Sequence, residues 1–153
     1  MVEHSSITSR DDTSSGSRGC RRSRLGRSGE DAAVSFYEAL GLELLERNWR
    51  AGRFAEVDLI LRSPSGLLVF AEVKTRMASW DSCLESGFEA VSLRKQRKIV
   101  TASRLYTAQR ALIDTPCRFD VLVISCDTSR QPGKTVLPRR IVHVADAFSG
   151  QYC

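Results

Sequence analysis

The stretch Glu56-Val57-Asp58-Leu59-Ile60-Leu61, the residues Ser63-Pro64-Ser65-Gly66, and the run Leu67-Leu68-Val69-Phe70-Ala71-Glu72-Val73-Lys74 decide how this chain folds. The first segment alternates with the period of two that a strand requires, and Ser-Pro-Ser-Gly is turn chemistry, so the three pieces read as a β-hairpin. The unbroken apolar run before Glu72 does not fit a strand covered on one face only. It predicts a central strand packed on both sides, and hence a sheet with helices on its faces.

Side chains two apart on a strand point the same way, so Glu72 and Lys74 share a face, as do Glu56 and Asp58 on the neighbouring strand. The hairpin register decides whether those faces coincide. A turn centred on Ser65 sets Asp58 opposite Glu72, with Cβ atoms about 5 Å apart. A four-residue loop from Ser63 to Gly66 sets Asp58 opposite Ala71 instead, and a bulge is then needed to restore the pair. In the first register two carboxylates stand close enough to hold one divalent cation. Hard oxygen donors with no Cys or His beside them select Mg²⁺ or Mn²⁺ over zinc. Lys74 suits the work of a phosphodiester hydrolase, which must orient or deprotonate a water and neutralise charge gathering on the phosphoryl oxygens. The plain alternative is a pair of cross-strand salt bridges. Against it, the charges end an apolar strand, where an unpaired charge is costly.

Upstream, Ser28 followed by Asp31 has the form of a capping box, and Ala33, Phe36, Tyr37, Leu40 and Leu44 recur at helical spacing, with Gly41 as the stop. A strand over 42–49 and a turn at Arg50, Ala51 and Gly52 complete the approach to the hairpin. Downstream, Phe88, Val91, Ile99, Ala102 and Tyr106 mark an amphipathic helix from Glu85 to about Gln109. Lys95 falls on that inward stripe, either snorkelling to solvent or reaching into the site toward phosphate. Around it Arg94, Arg97 and Lys98, with Arg76 and Arg104, form a candidate phosphate-binding rim, the default being a solvated charged face. Met77 to Gly87 reads as a loop at the mouth, where Trp80 either stacks on a base or pins the loop to the core. Arg118 to Ser125 is a strand, 131–134 a loop, and Arg140 to Val144 a closing strand in which His143 reads as structural. The expected fold is α/β, with a mixed central sheet and helices on its faces in the order α-β-β-β-α-β-β.

The chain has 153 residues, 42% of them hydrophobic, which suffices for one domain and not for two. That domain is placed at 29–148, between a Ser/Arg-rich tail over 1–28 predicted to be disordered and a short tail over 149–153. Lys and Arg number 23 against 18 Asp and Glu, a net charge of +5 that is compatible with a polyanionic partner. The 5 cysteines are widely separated and lack any Cys-x-x-Cys pair, which argues against structural zinc and for reduced thiols. No run is long and apolar enough to span a membrane, and Arg21-Arg22 lacks the apolar segment of an export signal, so a cytoplasmic protein is expected.

The motifs Gly29-Glu30-x-x-Ala33, Arg47-Asn48, Glu56-Val57-Asp58-Leu59-Ile60, Val69-Phe70-Ala71-Glu72-Val73-Lys74-Thr75-Arg76 and Arg118-Phe119-Asp120, in this order, resemble the YraN family of bacterial proteins over about residues 26–148. That family is similar to the archaeal Holliday-junction resolvases and to the PD-(D/E)XK nuclease superfamily, which implies a restriction-endonuclease-like fold. The resemblance implies a metal-dependent endonuclease cutting DNA, branched or single-stranded, in repair or recombination intermediates. It implies Glu30 as the helix carboxylate, Asp58 and Glu72 as ligands of Mg²⁺ or Mn²⁺ with the Val73 carbonyl, Lys74 as the water-orienting or charge-stabilising group, and lysine at position 95. One departure is Ala55, where the family has glycine, which threatens the strand entrance if that site needs positive φ. Junction cutting takes two sites and hence a homodimer. The competing reading is a noncatalytic nucleic-acid-binding or adaptor protein on the same scaffold.

Overall fold

The computed structural model describes residues 16–53, 55–76, 91–126 and 138–150. In chain order these form α1 (Gly16–Ala39), β1 (Glu43–Ala51), β2 (Ala55–Arg62), β3 (Leu68–Arg76), α2 (Leu93–Gln109), β4 (Cys117–Cys126) and β5 (Pro138–Val144). The expected order α-β-β-β-α-β-β is the observed one. The strands make one sheet in the order β1-β2-β3-β4-β5, antiparallel except for β3 and β4, whose parallel pairing is joined through α2.

Each sheet face has its own apolar cluster. Ala33, Val34 and Tyr37 of α1 pack on Leu59, Leu61, Val69, Ala71, Leu122 and Ile124. On the other face Ile99, Val100, Ala102 and Tyr106 of α2 pack on Ile60, Leu68, Phe70 and Phe119. Leu68–Ala71 are therefore covered on both sides, which is why the run preceding Glu72 has no polar residue.

The hairpin adopts the register centred on Ser65, with Leu59 opposite Ala71, Ile60 opposite Phe70, Leu61 opposite Val69 and Arg62 opposite Leu68. Ser63 N–H donates to the Leu67 carbonyl and Gly66 N–H to the Ser63 carbonyl, while Gly66 takes φ +87°, a conformation glycine adopts without strain. The connection thus takes in Leu67 as well, and the four-residue alternative is excluded.

Gly41 ends α1 as expected. Its N–H donates to the Glu38 carbonyl and that of Leu42 to the Tyr37 carbonyl, the paired bonds of a Schellman motif, with Gly41 at φ +81°. Two helix starts differ from expectation. Helix α1 begins at Gly16, so Ser28 and Asp31 lie inside it and do not cap it, and residues 16–28 of the expected disordered tail are helical. No proline interrupts that segment, and its arginines are good helix formers. Helix α2 begins at Leu93, because Ser92 caps it: φ −58° and ψ 151° take Ser92 out of the helix, and its side chain accepts from Lys95 N–H. Val91 precedes the helix yet packs on its apolar cluster. The expected positions of Phe88, Trp80, the Met77–Gly87 loop and the 131–134 loop lie outside the described residues.

Ala55 opens β2 opposite Ala51, fully in the core, and is not among the described non-glycine residues with positive φ, so its side chain is accommodated. Cys117 is an exposed free thiol, and Cys126 is buried. Among the described residues no helix is long and apolar enough to cross a membrane.

Candidate metal and phosphate site

The site is built where β2 and β3 part. Main-chain pairing between them runs from Arg62 to Leu59, and beyond it the Asp58 side chain takes over, its Oδ2 accepting from Val73 N–H at 2.8 Å. Continuing the register sets Asp58 across from Glu72. Glu72 lies on the α2 side of the sheet, since Phe70 two residues before it belongs to that cluster and Lys95 of α2 reaches it.

Glu72 is 1% exposed and has two lysines on it. Lys74 Nζ donates to Oε1, and Lys95 Nζ stands 2.9 Å from Oε2. Lys95 therefore reaches into the site and does not snorkel outward. The second contact is an ion pair lacking hydrogen-bond geometry, so Glu72 Oε2 is a buried carboxylate oxygen without a hydrogen-bond donor. Such an atom is costly unless something else satisfies it. The sharing of Glu72 with Asp58 adds a second cost. Burial first, and then the Glu72 charge, push the Asp58 carboxyl up to about 7, against the Val73 N–H bond and the two ammonium groups. For Lys95, burial favours the neutral form, but the Glu72 charge, with those of Asp58 and Glu56, carries it above the ordinary lysine value.

The donor chemistry fits a hard divalent cation. Two carboxylates stand across from each other where β2 and β3 part, one of them with a buried oxygen that has no hydrogen-bond donor, and Mg²⁺ typically takes one or two carboxylates while keeping waters or phosphate oxygens for the rest. Among the described residues no group of three or more His, Cys, Asp or Glu side chains gathers, which matches neither a zinc nor an all-protein calcium cage. Val73 contributes its N–H to Asp58, which fixes that carboxylate's orientation.

Glu30 arrives from α1 on the other face. Its Oε2 accepts from Asn48 Nδ2 at 2.7 Å, and next to it Arg47 pairs with Asp31 at 2.5 Å. Asn48 lies between the pairs Arg47–Leu59 and Trp49–Val57, hence beside Asp58, and it takes φ +50° within β1. Glu30 is thus tied to the strand next to Asp58 and is not part of a three-carboxylate group. Gly29 explains how α1 comes so close: a Cβ there would sit 1.8 Å from Thr75 Oγ1, one residue beyond Lys74. Glu56 pairs with Arg50 at 2.8 Å on the surface.

Of the basic rim, Arg76 ends β3, and Arg94, Arg97 and the half-buried Lys98 lie in the first turns of α2, whose first turn has no acidic residue. Arg104 does not join them. It sits further along α2, where it reaches toward the Gly150 carbonyl at 3.4 Å and lines a cavity of about 390 Å³ with Phe119 and Phe148.

Sequence reading missed a second polar cluster. Asp120, 0% exposed in β4, accepts from Arg118 Nε at 2.8 Å and Nη2 at 2.9 Å, from Tyr37 O–H at 3.2 Å and from Asp146 N–H at 3.1 Å, and shares 2.8 Å with His143 Nε2. Burial, then the Asp120 charge, hold the Tyr37 phenol well above its ordinary value, which keeps it a donor. The signal was an aspartate inside the apolar run Phe119–Ile124. His143, read as structural, belongs to this network.

A five-stranded mixed sheet with a helix on each face, in the order α-β-β-β-α-β-β, is the restriction-endonuclease-like architecture expected of the sequence. The family model described as Uncharacterised protein family UPF0102 matches residues 29–124, and the chain belongs to this family, also called YraN. It is 42% identical over 104 residues to a UPF0102 protein of Desulforapulum autotrophicum, covering 68% of this chain and 82% of the relative. It is 39% identical over 132 residues to one of Gloeobacter violaceus, covering 85% and 96%. A third, from Oleidesulfovibrio alaskensis, is 41% identical over 102 residues, covering 67% of this chain and about half, 48%, of that longer relative.

Proposed function

We propose that this protein is a divalent-metal-dependent endonuclease that hydrolyses phosphodiester bonds in DNA, acting on branched or single-stranded repair or recombination intermediates. The observation that carries the reading is the crowding of Asp58, Lys74 and Lys95 around the buried Glu72 carboxylate, one oxygen of which has no hydrogen-bond donor. A purely structural ion-pair cluster would not be expected to set a second, repelling carboxylate against the same buried group.

Asp58 and Glu72, with the Val73 carbonyl, would hold Mg²⁺ or Mn²⁺, which when bound would supply Lewis acidity toward a phosphoryl oxygen and make a nearby water more acidic. Lys74, fixed by Glu72, orients the attacking water and balances negative charge on the phosphoryl oxygens as it develops. Lys95 brings a second ammonium to the same pocket for the phosphate, and it does so from the N-terminal turn of a helix, where the backbone dipole adds positive potential. Arg76, Arg94, Arg97 and Lys98 contact flanking phosphates, and Glu30 supports the site through Asn48. Cutting a four-way junction takes two such sites, and hence a homodimer.

The test is incubation of purified protein with single-stranded, duplex and four-way-junction DNA in Mg²⁺ or Mn²⁺. The expected result is cleavage abolished by chelation and lowered roughly 100-fold or more in Lys74→Ala and Asp58→Ala. Cleavage that survives in both variants defeats the assignment of the site. Salt-sensitive DNA binding without turnover in the wild type shifts the reading to a noncatalytic nucleic-acid adaptor.

A further inference from the structure

The carboxylate oxygen that the proposed cation would take already has a cation against it. Lys95 Nζ is 2.9 Å from Glu72 Oε2, and the Asp58 charge acts on the same ammonium. A divalent ion shared by Asp58 and Glu72 and an ammonium in contact with Oε2 claim the same lone pairs and repel each other. Both cannot hold the oxygen at full strength.

Helix geometry gives Lys95 its position and leaves it a way out. Ser92 caps α2 by accepting from Lys95 N–H, through its side chain at 3.3 Å and its carbonyl at 2.8 Å, so the Lys95 backbone is anchored in the first turn. Beyond that anchor the side chain is a flexible four-carbon stem, with 25% of its surface still open to solvent. The helix end from which it extends carries Arg94 and Arg97 and no acidic residue in its first turn, so Lys95 has no second acid on its own first turn. An incoming phosphate offers the alternative partner.

We infer that Lys95 is a positioning residue that competes with the metal ion for Glu72 and makes metal and DNA bind cooperatively. This inference rests on the proposed metal site and goes beyond it. In the free protein the ammonium weakens cation binding. A phosphate in the pocket draws the ammonium off Oε2 and frees that oxygen, so DNA tightens metal binding, and by linkage the metal tightens DNA binding by the same factor. A nuclease built this way loads its ion mainly where a phosphodiester is present.

Mn²⁺ titrations followed by the electron paramagnetic resonance signal of the free ion, with and without a short duplex and corrected by the duplex alone, test this without reference to cleavage. Wild type is expected to bind Mn²⁺ weakly alone and roughly ten-fold more tightly with DNA. Lys95→Met and Lys95→Gln are both titrated, since Gln keeps a neutral donor for Glu72 and so protects folding, checked by circular dichroism. Each is expected to bind Mn²⁺ roughly ten-fold more tightly than wild type without DNA, with the gain on adding DNA reduced to near unity. Lys95→Arg, which keeps the charge, is expected to restore weak binding and the coupling. Unchanged Mn²⁺ affinity in the Met and Gln variants, or a DNA effect that persists in them, overturns the inference and leaves the metal site standing. No Mn²⁺ binding by any of the four proteins, with or without DNA, overturns the site and the inference together.

Discussion

Two buried carboxylates stand on opposite faces of one sheet, and they are treated differently. Asp120, on the α1 side, has both oxygens occupied by an arginine, a tyrosine, a histidine and a backbone N–H. Glu72, on the α2 side, has a second acid nearby, two lysines and an oxygen with no hydrogen-bond donor. The first arrangement is what a chain does when a charge serves the fold: every lone pair is satisfied, so removing a partner is expensive. The second sets a repelling acid against a buried carboxylate, an arrangement that costs stability.

The largest expected effect comes from breaking the satisfied network. Asp120→Ala leaves the Arg118 guanidinium, the Tyr37 hydroxyl and His143 without their common acceptor, in a strand whose run from Phe119 to Ile124 is otherwise apolar. The expected loss is about 3–5 kcal/mol of unfolding free energy, read from the urea midpoint at an unchanged slope. A loss below about 1 kcal/mol would show that the network does not hold the fold, and the contrast between the two faces would fall with it.

Relieving the other cluster has the opposite sign. The Asp58 carboxyl is pushed up to about 7 in the folded chain from an ordinary 3.8, so between those values the folded state holds a proton that the unfolded state has released. Stability from this group therefore falls as pH rises from about 4 to 7, is fully lost above 7, and is unaffected below the unfolded value, where both states are protonated. Asp58→Asn keeps an acceptor for Val73 N–H and removes the charge. It is expected to stabilise the metal-free protein by about 2–3 kcal/mol at pH 8, with the gain shrinking toward zero at pH 4, measured by thermal melts across that range. A gain independent of pH, or a loss at pH 8, would mean that the acid pair is not repulsive in the folded chain.

The difference between the clusters also explains what was legible in the sequence. The Asp58, Glu72 and Lys74 cluster is local: a hairpin, a period of two and one turn bring the residues together, and only the choice between two registers had to be settled by the Ser63–Leu67 connection. Lys95 was placed on the correct stripe by helical spacing, while its helix start was missed because Ser92 gives no apolar signal. The Asp120 network was not legible, since Tyr37 lies 83 residues away and meets it only after α1 has packed on the sheet. Its trace was a charge in the wrong company, an aspartate within an apolar strand. The early start of α1 was missed because Arg-rich composition argues for solvation, whereas helix propensity and the absence of proline argue for continuation.

The smallest effect tests how evenly the Asp120 network is shared. Tyr37 O–H donates to Oδ2 at 3.2 Å, long for an O–H···O bond, and the same oxygen is contacted at 2.9 Å by Arg118 and at 2.8 Å by His143. The ring itself is fully buried and packs edge-on against Phe36 and His143, at centroid distances of 5.6 and 5.5 Å. Tyr37→Phe keeps that packing and removes only the longest of the bonds, from an acceptor that retains two shorter contacts. The expected loss is about 0.5–1 kcal/mol by urea unfolding, well below that of Asp120→Ala. If the loss instead approaches that of Asp120→Ala, the hydroxyl is the keystone of a cooperative network, and the arginine and histidine contacts depend on it.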